Sequence, residues 1–326
     1  VNSYSSILER IELSAAYNTT SDSAIASMKT KMESVESLVK EAITDTTSSD
    51  SKAIIADEIE SYKSAIYSLA NSNTSGQYLF SGNSSSTQAF QKDATTGKIT
   101  YIATNDNKSV NVETDSYTTQ GVNGIELLYY TNNTAQVGEN LTFDENEIIL
   151  DKDGNQYKLL DTNGDDVYDG LYLDGDNTNT PLSITTNSDG SYSVTNSTTS
   201  TLESKHSVFD YLDEIINALK QQDSNGNSIT QDEATSILST ALDKFETAYD
   251  VMNTSHAKLG TRTASIENYE SIVQTKLTNF NLLQETYSSA DLTTLAIESQ
   301  SLQNTYTALY STINKINNLS LVNYLS

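Results

Sequence analysis

Residues 238–287 read LSTALDKFETAYDVMNTSHAKLGTRTASIENYESIVQTKLTNFNLLQETY. Leu238, Leu242, Phe245, Tyr249, Met252, His256, Leu259, Thr263, Ile266, Glu270, Val273, Leu277, Phe280, Gln284 and Tyr287 recur in steps of three and four. That is the spacing of a heptad seam along one helix face. At ~1.5 Å per residue the helix is roughly 75 Å long. A globule of this size holds no such rod inside itself, so the segment is expected to form a shaft. Gly260 within it costs about 1 kcal/mol against Ala, which points to a close contact or a bend. Ser288-Ser-Ala-Asp291 matches a capping box, and the seam is expected to restart after it. Leu292, Leu295, Leu302, Tyr306, Leu309, Ile313 and Ile316 then carry it on.

The N-terminal end shows the same pattern. Tyr4, Ile7, Ile11, Ser14, Asn18, Ser21, Ile25, Met28, Met32, Val35, Val39 and Ala42 keep the spacing, with a polar gap at Ser14 to Ser21. A Thr/Ser/Asp cluster from Thr44 to Ser51 ends this helix. A second follows, with Ile55, Ile59, Tyr62, Ile66 and Leu69 in register, and a short polar loop between two helices implies antiparallel packing.

Between residues 76 and 203 the composition shifts to Gly, Asn, Asp, Thr and Tyr in short runs. Lys98–Ile102, Ser109–Glu113, Glu147–Leu150, Tyr157–Leu160 and Ser191–Thr195 read as strands, with Asp153-Gly154 and Asp189-Gly190 as hairpin turns. The expected class is α+β: long N- and C-terminal helices packed as a coiled-coil-like rod, with an inserted β-rich domain. Residues 1–90 form the N-terminal helical arm and the start of a core, 91–203 the inserted outer domain. Residues 204–287 complete the core, and 288–326 form a terminal-helix segment for assembly.

Composition narrows the function. The 326 residues carry 44 acidic and 18 basic side chains, a formal charge of −26. Such a field repels a phosphate backbone, and an anionic membrane for the same reason, so neither nucleic acid nor membrane is an expected partner. The low apolar fraction, 36%, suits an elongated molecule. With no cysteine, disulfides, thiolate metal sites and cysteine nucleophiles are excluded. No run of 18 apolar residues exists, and Val1-Asn2-Ser3-Tyr4 begins no signal peptide. Lacking an initiator Met, the chain is expected to continue upstream.

Sites for chemistry are few. The two histidines are His206, before the apolar helix start Val208-Phe209, and His256, on the seam. Neither sits in a pattern for a Ser-His-Asp site or for zinc. Asp161-Thr-Asn163-Gly-Asp165 and Asp223-Ser-Asn225-Gly-Asn227 place oxygens at alternate positions, as a calcium loop does. The first has Asp166 at the sixth place and Tyr172 at the twelfth; the second has Ser228 and Ala234. Both read better as Asx turns, with Thr230-Gln-Asp-Glu233 capping the next helix. No cofactor, metal or catalytic residue is expected, and the chain reads as a structural protein.

Gly76-Gln-Tyr-Leu-Phe-Ser-Gly82, followed by Phe90, resembles the signature of the flagellar hook-filament junction proteins, the hook-associated protein 3 family. The C-terminal series is similar to the end shared by flagellins: Leu259-Gly260, Arg262, Ile266-Glu267-Asn268, Ala290-Asp291-Leu292-Thr293, Leu302-Gln303 and Tyr306-Thr-Ala-Leu309. The ending Leu319-Ser-Leu-Val-Asn-Tyr-Leu325 favours the junction protein over a filament flagellin. The resemblance covers the two helical arms and not the middle. It implies an exported, extracellular subunit that joins a ring of identical copies at the hook end. Its partners would be the preceding hook-associated protein, flagellin and an export chaperone. It also implies that terminal helices line an inner tube, with Leu292, Leu302, Tyr306, Leu309, Ile313 and Ile316 as the packing residues. A filament flagellin is the alternative within that superfamily. A secreted calcium-dependent adhesin or carbohydrate-acting protein is the alternative outside it.

Overall fold

The structure, a computed structural model, describes residues 2–44, 47–113 and 115–324, with side chains described from 3 to 315 except at residue 290. Helix α1, Asn2–Ala42, is unbroken, and α2, Ser49–Ala70, follows with Ser48 as its N-cap. The α1 seam is sealed from Ile7 to Ala42, including Ser14, Asn18 and Ser21. On α2, Ile55, Ile59 and Ile66 are buried, and Tyr62 and Leu69 pack against the same core. Lys31 of α1 lies over the Tyr62 ring at 5.3 Å.

Three hairpins and a short helix follow. They are β1, Asn73–Thr74, with β2, Gln77–Tyr78; β3, Phe90–Lys92, with β4, Ile99–Tyr101; and β5, Lys108–Glu113, with β6, Ser116–Gln120. Helix α3, Gly124–Leu128, is closed by a full capping box between Asn123 and Glu126. Phe80, Phe90, Ile99, Ile125, Leu127 and Leu128 enter the same core as the helices. Gly82 has φ +60, and a Cβ there would lie 2.3 Å from the Asp106 carbonyl oxygen, so only glycine fits.

The chain next builds a five-stranded antiparallel sheet from β7, Tyr129–Ala135, β9, Ile148–Asp151, β10, Gln156–Leu160, β11, Gly170–Leu173, and β14, Leu202–Ser207. Their order is β11-β10-β9-β14-β7. A second sheet, β12-β13-β8, uses β8, Asn140–Phe143, β12, Ile184–Thr186, and β13, Tyr192–Thr195. Asp153-Gly154 and Asp189-Gly190 sit at the expected turns, joining β9 to β10 and β12 to β13, and both glycines have positive φ. This unit has its own small core of Ala135, Leu141, Phe143, Ile149, Leu171, Val194 and Leu202. Judged by these two cores, we propose that the outer unit begins near Tyr129 rather than at residue 91.

Helix α4, Val208–Leu219, buries eight of its residues, and α5, Gln231–Tyr324, runs for 94 residues. Two expectations about α5 are corrected. There is no break at 288–291: the backbone stays helical, and Thr293 Oγ1 donates to the Ser289 carbonyl as in any helix interior. A Ser or Asp caps only where the backbone has already left the helix. Here the sequence offers no Gly or Pro to turn it away, and the side chains of Ser288, Ser289 and Asp291 are exposed. Gly260 marks no close contact, since nothing lies within 4 Å of the position a Cβ would take.

Candidate functional site: the uncovered seam of the long helix

Helix α1 runs antiparallel along α5. Glu33 accepts a hydrogen bond from Tyr249, Asp22 meets His256 at 2.7 Å, Asn18 donates to Thr263 at 3.1 Å, and Tyr4 stacks on Phe280 at 5.3 Å. Under this cover Leu238, Met252, Leu259, Ile266 and Val273 are sealed. Ile7, Ile11, Val110 and Val112 close over Ile266 and Val273.

The polar gap in α1 is the seat of the β6–α3 loop. Asn18 accepts the Gly121 N–H at 2.9 Å, and Ser14 donates to Gln120 at 3.1 Å. From α5, Arg262 donates to the Gly121 carbonyl at 2.6 Å and forks onto Glu126 at 3.2 and 3.3 Å. Burial alone would raise the Glu126 carboxyl, but hydrogen bonds from Arg262 and Asn107 outweigh it and hold the group below the usual range. This clamp joins residues 136 apart. Its sequence trace was the capping-box spacing of Asn123 and Glu126.

Past Leu277 the seam opens to solvent, with Tyr4 stacked on one face of Phe280. Every described side chain from 278 to 315 is exposed. Leu292 is 65% exposed, Leu302 62%, Tyr306 59%, Leu309 55% and Ile313 46%. Ile316 lies outside the described side chains. The bare residues repeat the covered ones: Leu295, Leu302, Tyr306, Leu309 and Ile313 stand 36 positions after Leu259, Ile266, Glu270, Val273 and Leu277. Since 36 residues make about ten turns, or about 54 Å, the bare stripe continues the face that α1 covers.

The other polar clusters serve the fold. His206 lies between Glu147, 3.4 Å from Nδ1, and Glu214, 3.2 Å from Nε2, with the Tyr130 ring edge-on beside it. Burial lowers the imidazole pKa, but the two carboxylates overcome that and push it up to about 10. An imidazolium held so firmly is a poor general base near neutral pH. Of this cluster the sequence showed only that His206 precedes a helix. His256 is a half-buried seam residue paired with Asp22. Asp161 accepts the N–H groups of Asn163, Gly164 and Asp166 from its own loop, and Asp223 those of Asn225 and Asn227. Both are Asx turns, and Thr230 and Glu233 cap α5 reciprocally. Among the described residues no group of three or more His, Asp or Glu could hold a metal ion, and no helix is long and apolar enough to cross a membrane.

No model of a protein family matches the sequence, and neither does any curated protein. Solved structures do match the fold. FlgL from Xanthomonas campestris aligns over 86% of this chain and 99% of its own, with TM-score 0.57 and 18% identity. Flagellar hook associated protein-3 from Legionella pneumophila aligns over 87% and 97%, with TM-score 0.57 and 14% identity. The flagellar junction protein FlgL, also from Legionella pneumophila, aligns over 82% and 96%, with TM-score 0.53 and 14% identity. The chain has the fold of the flagellar junction proteins. Within this junction-protein fold the Gly76–Gly82 motif does structural work. Leu79 and Phe80 are buried, the Phe80 carbonyl accepts the Gly124 N–H, and Gly82 lets the backbone pass Thr104 and Asp106. Arg262, in the C-terminal series, is the clamp on Glu126.

Proposed function

We propose that this chain is a structural subunit of the bacterial flagellum that couples hook to filament, acting by assembly and not by catalysis. The observation that carries this reading is the bare α5 stripe, which repeats the α1-covered seam for a further ten turns or so. A regular row of Leu, Ile and Tyr at 46–65% exposure is unfavourable in water. Burying the remaining surface of each is worth about 1 kcal/mol. Other helices satisfy it, as a heptad seam requires. In a ring of identical copies Leu292, Leu302, Tyr306, Leu309, Ile313 and Ile316 pack the inner tube. The preceding hook-associated protein lies below, flagellin above, and the β unit outside. The likeness to solved junction proteins supports the flagellar setting; in this reading the chain is exported through the flagellar channel, guarded by a chaperone, to the cell exterior.

The test adds the full-length protein to purified hooks carrying the preceding hook-associated protein and inspects the tips by electron microscopy. A short collar from which flagellin then elongates is the expected result. Long filaments of the protein alone would make it a filament flagellin, and bare tips would remove the reading. Leu309→Asp should abolish collars while the β-sheet circular dichroism signal stays intact.

A further inference from the structure

A groove of about 590 Å³ lies between α1 and the β1–β2 and β5–β6 hairpins, away from α5's bare stripe. Leu13 and Tyr117 line it and are among the chain's exposed large apolar side chains, at 59% and 65%. No carboxylate lines it, although the chain holds 44. Its two charges are both positive: Arg10, which donates to the Asn111 amide oxygen at 3.4 Å, and Lys108, which donates to the Gln77 amide oxygen at 3.0 Å.

The opposite character appears on α2. Ile54, 69% exposed, is flanked at helical spacing by Asp50, Asp57 and Glu58, all exposed. Asp57 also faces Lys220 at 3.4 Å, and Glu58 accepts a hydrogen bond from Tyr62. Ile54 lies about two turns nearer the α1–α2 loop than Tyr62, whereas Leu13 is near the other end of α1, roughly 40 Å away along the rod. One chain cannot bring the two surfaces together.

We propose that the groove is a docking site for the α2 face of a second copy of this chain, with Ile54 entering beside Leu13 and Tyr117 while its carboxylates meet Arg10 and Lys108. The two faces differ, so the contact is heterologous and passes from copy to copy, the kind of interface that closes rings or extends rows. It gives the self-association proposed above a lateral interface, and it does not use the α5 seam.

The test is therefore made in the full chain carrying Leu302→Asp and Leu309→Asp, which disables that seam. Sedimentation velocity should show association that strengthens with protein concentration and weakens with salt. Arg10→Glu with Lys108→Glu should weaken it at least tenfold, and so should Asp57→Lys with Glu58→Lys. Combining all four in one chain should restore most of it. Ile54→Ser, which leaves the charges alone, should weaken it as well. Far-UV circular dichroism identifies any variant that fails to fold. Absence of association in the seam-disabled parent, indifference to both reversals, or failure of the combined chain to recover would each overturn the proposal. Absence of collars from the unsubstituted chain, with this association retained, would sink only the junction reading.

Discussion

Ile266 and Leu302 occupy the same seam position about ten turns apart, one sealed at 0% exposure under α1 and the other bare at 62%. Truncating each to Ala separates folding from assembly. Ile266 packs in the cluster of Ile7, Ile11, Val110 and Val112, so Ile266→Ala opens a cavity and costs about 2–5 kcal/mol. With a urea slope of about 1–3 kcal/mol per molar, a loss of about 3 kcal/mol moves the unfolding midpoint by about 1–3 M. Leu302→Ala removes a side chain that is already mostly in water, so the isolated chain should change by less than about 0.5 kcal/mol. Collar formation on hooks should reverse the ranking for Leu302. Its remaining surface is worth about 1–1.5 kcal/mol when buried, close to tenfold in affinity per copy. Urea titrations followed by circular dichroism, with collar counts by microscopy, read both quantities. If Leu302→Ala destabilised the isolated chain as much as Ile266→Ala, the stripe would be covered within the monomer and the reasoning would fail.

Gly82→Ala should cost more than about 3 kcal/mol, because positive φ and two carbonyl oxygens within 2.5 Å of the new Cβ add together; chemical denaturation measures it. Gly260→Ala should instead stabilise α5 by up to about 1 kcal/mol, since the site is helical and open; a raised thermal midpoint is the expected sign. His206 has a folded pKa raised from 6.5 to about 10. Its contribution to stability is therefore complete below pH 6.5 and is lost as the pH climbs through about 10. His206→Gln should flatten the fall in stability over that window, and an unchanged slope would refute the ion-pair assignment.

Periodicity and turn chemistry are local properties, and the sequence by itself determined what depends on them. The α1 seam from Ile7 to Ala42 is buried as its spacing demanded, polar positions included. The Asp153-Gly154 and Asp189-Gly190 turns sit between paired strands, and the Asp161 and Asp223 loops fold on their own carboxylates. The stripe on α5 was likewise legible as apolar. What only tertiary structure decided is which part of α1 lies against which part of α5. The antiparallel register that stacks Tyr4 on Phe280 joins residues far apart in the chain. The Arg262–Glu126 clamp and the carboxylates around His206 also join distant segments, and no local pattern encodes which carboxylate of 44 will meet which cation. The continuity of α5 through 288–291 belongs here too. A capping sequence permits a helix to start but does not by itself end the preceding one, and α5 stays helical through these residues.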